Sequence, residues 1–271
     1  MERKAPVALI TGANRGVGKG VAFVFAEKGY DIFLAHCGEP EKASEVAETI
    51  RTSFGRKCVT CDCDLSNPEE ITHMVLAAEQ AFGGIDVLMS NAGVGYERYI
   101  HCAHIEEIDH VYHVNYRAGI LVARLVAKNM IEHGIHGSIV FTASIKSIQP
   151  TAIDCIYGGL KAALKRSAQS LALEFAPHGI RVNTVSPGCI AVNPVGYEDR
   201  NYSDQEAVIP VGRTGTGEDI GYAAAFLSSD EASFITGIDI LVDGGASCGV
   251  TKSSDAEEQD GINGRGTFVV H

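Results

Sequence analysis

Seven short apolar runs, separated by longer stretches of helical periodicity, constrain this chain more than any other feature. They are VALIT (Val7–Thr11), DIFLAH (Asp31–His36), KCVTCDC (Lys57–Cys63), DVLMS (Asp86–Ser90), SIVFTA (Ser138–Ala143), RVNTVS (Arg181–Ser186) and IDILV (Ile238–Val242). Each is apolar nearly throughout rather than at every second residue, which marks strands covered on both faces. The intervening segments carry helix-start signals. In SNPEEI, for example, Ser66 or Asn67 can cap and Pro68 suits the first turn. Strand–helix alternation with doubly buried strands predicts an α/β fold: a single doubly wound seven-stranded parallel sheet with helices on both faces. No repeat or linker divides the 271 residues, so one domain is expected over 1–245, followed by a tail at 246–271. The Pro/Gly-punctuated stretch 189–216 follows the sixth strand, where a lid over 189–212 is expected. In the tail, the acidic KSSDAEEQDG suggests disorder, and the apolar end TFVVH suggests docking on a neighbouring subunit.

Charge excludes several partner classes. With 22 basic and 34 acidic residues the formal net charge is -12, and no basic run offers the positive face that nucleic acid or an anionic membrane needs. No apolar run has signal-peptide or membrane-span length, so a cytoplasmic protein is expected. Eight cysteines fit that compartment as free thiols. Cys58, Cys61 and Cys63 sit close together, but no second Cys/His pair stands at zinc-site spacing. His110 and His113 share a helical face with Glu106 in a segment that also holds His101 and His104. A polar or subunit-facing helix surface explains these histidines, and no metal is expected.

The first strand runs into TGANRGVGKG, where Gly12, Gly16 and Gly18 let the backbone turn sharply and approach a ligand. The helix that follows points its free N–H groups and positive dipole end at the same gap, a natural pyrophosphate site. The spacing Gly-x-x-x-Gly-x-Gly, with Thr11 ahead of it, resembles the short-chain dehydrogenase/reductase family, whose fold is Rossmann-type. The likeness extends from about residue 5 to 245. SNAG after the fourth strand resembles the family's Asn-Asn-Ala-Gly, with Ser90 in place of the first Asn. Asp64-Leu65, HVNYRAG around Asn115, RVNTVSPG and LVDGG also resemble its signatures.

The resemblance implies a nicotinamide dinucleotide held by Gly12, Asn14, Arg15, Gly16, Val17, Gly18, His36, Asp64, Leu65, Asn91, Ala92, Gly93, Tyr157, Lys161, Pro187, Gly188 and Ile190. At the end of the second strand, where an NAD-binding acid is usual, stands His36, and Arg15 in the glycine loop can face a 2′-phosphate. NADP is therefore the expected cofactor, with NAD the alternative, because Glu39 and Glu41 would repel a phosphate or bind a ribose. Where relatives place a threonine near the carboxamide the chain has Val192, so that anchor is lost or passes to Asn193. Ile190 can still offer its backbone. Many relatives carry a small hydroxyl residue where Leu160 precedes the lysine, a change of packing.

Alone, Tyr157 and Lys161 in YGGLK would read as a half-buried tyrosine beside a surface lysine. They lie one turn apart on one helical face. A phenol of pKa about 10 is a poor base near neutrality, and a cation nearby is expected to lower it. By the resemblance Tyr157 is the general acid/base, Lys161 also holds the nicotinamide ribose, Ser144 holds the substrate oxygen, and Asn115 braces a water that relays protons. Lys146 and Gln149, between Ser144 and Tyr157, and Tyr197 in the lid are expected to meet substrate. Polar groups there favour a hydroxylated substrate. LAHCGEPEKASEV and the lid resemble sugar 1-dehydrogenases, while 3-oxoacyl thioester reductases and hydroxysteroid dehydrogenases remain open. A non-catalytic dinucleotide sensor is the competing class, although such relatives typically lose the tyrosine or the lysine. The family also implies a homotetramer in which the helices of Asn115 and Tyr157 meet their mates.

Overall fold

Each apolar run forms a strand, with ends within a residue or two of those read from the pattern. The structure, a computed structural model, describes residues 5–192 and 201–248. The strands are β1 (Val7–Thr11), β2 (Asp31–His36), β3 (Cys58–Asp62), β4 (Val87–Ser90), β5 (Ser138–Thr142), β6 (Arg181–Pro187) and β7 (Asp239–Val242). All pair in parallel, in the order β3-β2-β1-β4-β5-β6-β7. The chain therefore builds outward from β1 to β3, returns, and starts β4 beside β1. That reversal opens a crevice above the carboxyl ends of β1 and β4, the place where such sheets bind ligands.

The helices are α1 (Gly16–Glu27), α2 (Pro40–Phe54), α3 (Pro68–Phe82), α4 (Ile105–Tyr112), α5 (Ala118–His133), α6 (Cys155–Phe175), α7 (Ser203–Glu206) and α8 (Gly217–Ser228). Two apolar cores result, one on each face of the sheet. Leu9, Phe33, Leu88 and Phe141 meet α3, α5 and α6 on one face. Ile10, Leu34, Met89 and Val185 meet α1, α2 and α8 on the other. Asn67 caps α3, its Oδ1 accepting the Glu69 N–H at 3.0 Å, with Pro68 at the first helical position. The side-chain alternation along and just after β3 splits the cysteine cluster between the two faces of the sheet. Cys58 packs into one core while Cys61 and Cys63 face the other, and burial pushes the Cys58 and Cys63 thiols up to about 12. Cys37, Cys58, Cys61, Cys63, Cys102, Cys155 and Cys248 carry free thiols. Among the described residues no group of three or more His, Cys, Asp or Glu could hold a metal, and no helix is long and apolar enough to cross a membrane.

Helices α1 and α8 approach backbone to backbone, which fixes the direction in which α1 points its first turn. A Cβ on Gly20 would lie 2.4 Å from the Gly217 carbonyl carbon, and one on Gly221 would lie 2.8 Å from Val24 Cγ2. Gly20→Ala must push the helices apart, a cost of about 1–3 kcal/mol. A melting curve several degrees below that of the wild type is expected, and an unchanged curve would show that the contact has slack.

Candidate active site

The glycine loop bends over the end of β1. Gly12 and Gly16 take left-handed φ values of 65° and 54°, and a Cβ on Gly18 would lie 2.1 Å from the Gly12 carbonyl oxygen. Only glycine allows that approach. The turn delivers the chain into α1, whose first turn holds no acidic residue to compete for an incoming anion. Thr11 fastens the neighbouring loop. Its Oγ1 accepts the N–H groups of Asn91 and Ala92, each at 3.0 Å, while Asn91 Nδ2 donates to the Thr11 carbonyl at 3.0 Å.

The two loops border a cleft of about 720 Å³. Its lining includes every residue expected at the dinucleotide: Gly12, Asn14, Arg15, Gly16, Val17, Gly18, His36, Asp64, Leu65, Asn91, Ala92, Gly93, Tyr157, Lys161, Pro187, Gly188 and Ile190. Ser144 lines it as well. Asp64 Oδ1 accepts the Ser66 N–H at 2.8 Å, which holds its carboxyl below the usual range. At the far end Glu39, a non-glycine residue with φ 58°, gathers Asn14 Nδ2 at 2.9 Å, Arg15 Nε at 3.3 Å and Lys42 Nζ at 2.5 Å. Hydrogen bonding from Lys42, helped by the Arg15 charge, lowers its pKa against the opposing effect of burial. The buried His36 Nδ1 has no hydrogen-bond partner and stands 3.8 Å from Asp62. The shape and the donors both suit a dinucleotide.

The catalytic candidates meet at the other end. Ser144, at the exit of β5, is buried and its Oγ accepts the Lys146 N–H at 3.2 Å. Tyr157 stands half-buried on the first turn of α6. Lys161, buried one turn later, donates from Nζ to the Thr142 carbonyl at 2.7 Å and lies 5.7 Å from the Tyr157 ring centroid. One expectation is corrected here. The phenol is raised above its ordinary pKa of 10.0, first by burial, with a hydrogen bond to Ser144 opposing and the Glu97 charge adding to the rise. The ammonium does not hold it down, because Lys161 bends to the Thr142 carbonyl, and burial lowers Lys161 itself to about 8.

Asn115 lies in a π-helical turn, His113–Arg117, between α4 and α5. Such single turns are rare and gather at functional sites. Its amide bonds both backbone groups of Val94, accepting from N at 2.7 Å and donating to O at 2.8 Å, so it docks the loop after β4 against the site. A space of about 10 Å³, the size of one water, is lined by Thr11, Ser90, Asn115 and Lys161. The expected substrate residues are less simply placed. Lys146 pairs with Glu97, and Gln149 Nε2 donates to the Ser247 carbonyl at 3.0 Å, so neither lines the cleft directly. Tyr197, Asn193 and tail residues 249–271 lie outside the described residues. Within the lid stretch Tyr202 Oη donates to the Val192 carbonyl at 2.7 Å. Two features escaped the sequence reading: the Thr142 carbonyl as the seat of Lys161, and Glu97. A backbone acceptor leaves no mark in residue type, and Glu97 belongs to no motif.

A dinucleotide-shaped cleft with a serine, a tyrosine and a buried lysine at one end defines the class, and comparison with known proteins gives the family. The family model described as "Enoyl-(Acyl carrier protein) reductase" matches residues 12–247. Glucose 1-dehydrogenase 2 of Bacillus subtilis is 32% identical over 241 residues, 88% of this chain and 93% of that protein. L-rhamnose 1-dehydrogenase (NADP(+)) of Thermoplasma acidophilum is 31% identical over 250 residues, 90% and 97% of the two chains. The crystal structure of acetoin dehydrogenase YohF from Salmonella typhimurium superposes with a TM-score of 0.84 at 30% identity, covering 92% and 98%. The chain belongs to the short-chain dehydrogenase/reductase family.

Lys161 ties stability to pH. Its pKa falls from 10.5 to about 8 on folding, so between those values the unfolded chain binds more protons and stability rises with pH. Below about 8 the full penalty of charging a buried amine applies, on the order of 3 kcal/mol. Lys161→Met should therefore raise the melting temperature more at pH 7 than at pH 10. An equal change at both would show that the amine is not desolvated.

Proposed function

We propose that this protein is an NAD(P)(H)-dependent oxidoreductase acting on a CH–OH/C=O pair, with Tyr157 as general acid/base. The observation that carries the reading is the convergence of Ser144, Tyr157 and Lys161 at one end of a cleft that begins at the glycine loop. A bound nicotinamide would supply or accept the hydride. Ser144 Oγ holds the substrate oxygen and Tyr157 Oη exchanges a proton with it. The buried amine of Lys161, with a pKa near the working range, passes the proton on through the water-sized space beside Asn115. Because burial keeps the phenol protonated near neutral pH, the site is set as an acid for carbonyl reduction, and alcohol oxidation gains from alkaline pH.

Arg15 and Lys42 support NADP, and the Glu39 carboxylate between them supports NAD as the alternative. A sugar or polyol is the favoured substrate, on the likeness to sugar 1-dehydrogenases. An acyl-carrier-protein thioester is the second reading, on the description of the matching family model, and hydroxysteroids remain a third. The non-catalytic sensor is disfavoured by the presence of all four catalytic candidates. A homotetramer in the cytoplasm is part of the same proposal. Initial rates on sugars, 3-oxoacyl thioesters and steroids, each with NAD(H) and NADP(H), test it. Tyr157→Phe should lower the best of those rates by orders of magnitude while cofactor affinity stays within a few fold. Near-normal rates would place the proton elsewhere, and tight cofactor binding with no turnover of any substrate by the wild type would favour the sensor.

A further inference from the structure

Ile153 is a β-branched residue held at φ 70°, a conformation that costs about 1–3 kcal/mol and persists only where its surroundings enforce it. Its carbonyl accepts the Arg98 N–H at 2.7 Å, so the strained turn before α6 is docked on the loop after β4. That loop is anchored a second time from α4. Glu107 accepts the Tyr96 hydroxyl at 3.0 Å and pairs with Arg98 Nη2 at 3.2 Å. Glu97 thus stands between two fastened residues. Its carboxylate pairs with the Lys146 ammonium, and the Lys146 N–H holds Ser144 Oγ. Gly95, Ser144 and Tyr157 line the cleft, Glu97 and Lys146 follow Gly95 and Ser144 by two residues in sequence, and the Glu97 charge reaches the Tyr157 phenol. Ion pairs this exposed contribute about 0–1 kcal/mol to stability, too little to explain such support.

We propose that Glu97 and Lys146 form a recognition site for the hydroxyl groups of a polyol whose reacting carbon lies against Ser144 and Tyr157. This rests on the oxidoreductase reading above and names its substrate class. A carboxylate accepts from two neighbouring hydroxyls, and the ammonium has two further N–H groups to donate to a third. The pair is neutral as a unit, and the carboxylate at the mouth opposes an anionic substrate. A hydrocarbon would strip water from both charges without replacing it. The groups that act on Tyr157 are Ser144, from the turn after β5, by a hydrogen bond and Glu97, from the loop after β4, by its charge, with Lys161 of its own helix beside the ring. Removing the Glu97 charge therefore also acts on the phenol.

The test is steady-state oxidation of D-glucose and of cyclohexanol by the full chain, wild type, Glu97→Gln and Lys146→Met. Each variant should raise the ratio of the D-glucose KM to the cyclohexanol KM about tenfold, the loss of one charge-assisted hydrogen bond. Glu97→Gln should also move the acid limb of the oxidation pH profile to lower pH, a shift that a merely structural residue would not give. An unchanged ratio in both variants overturns the proposal. So does a wild type that oxidises cyclohexanol through Tyr157 but not D-glucose, and in that case the acid/base reading stands. A wild type that oxidises neither alcohol and reduces none of the carbonyl panel sinks both.

Discussion

Burying an ammonium group is the act on which this site depends. Lys161 is almost without solvent and has one carbonyl, that of Thr142, to replace it. An isolated buried charge is expensive, and the group answers by letting go of its proton more easily, near a pKa of about 8. The same desolvation pushes the neighbouring phenol the other way. Two groups whose ordinary pKa values, about 10 and about 10.4, nearly coincide are thereby moved apart. In the mechanism we propose, the tyrosine keeps its proton for delivery and the lysine replaces it.

The rest of the fold serves that placement. Parallel strands bring the ends of β1, β4 and β5 to one edge, so Gly12, Asn91 and Ser144 come from distant sequence to adjoining positions. Thr11 joins the first two loops, Asn115 fastens the second to the π-helical turn, and the Ile153 carbonyl ties it to the start of α6. The glycines that let α1 and α8 touch set the aim of the first helix. Loops that carry chemistry are thus held by side chains and by close backbone contact.

The seven parallel strands were legible in the sequence from period and residue type, and most of the cleft residues from the family resemblance, whereas the strand order came only with the structure. Doubly buried strands read as continuous apolar runs, and a loop that must adopt left-handed φ at Gly12 and Gly16 declares itself through glycine. Electrostatics was not legible. Whether a cation lowers a phenol's pKa depends on where its long side chain turns, and Lys161 turns to a backbone oxygen that no motif records. Lys146 and Gln149 could be named from their place between Ser144 and Tyr157, but their partners, Glu97 and Ser247, come from distant parts of the chain. Such pairings are set by tertiary closure, which spacing within one helix cannot report.

Isotope-resolved titration of the Lys161 side-chain nitrogen by NMR, with Lys161→Met to assign the signal, bears on this account most directly. A midpoint at about 8 is predicted from complete desolvation. A midpoint close to that of an ordinary solvated lysine, about 10.4, would contradict it.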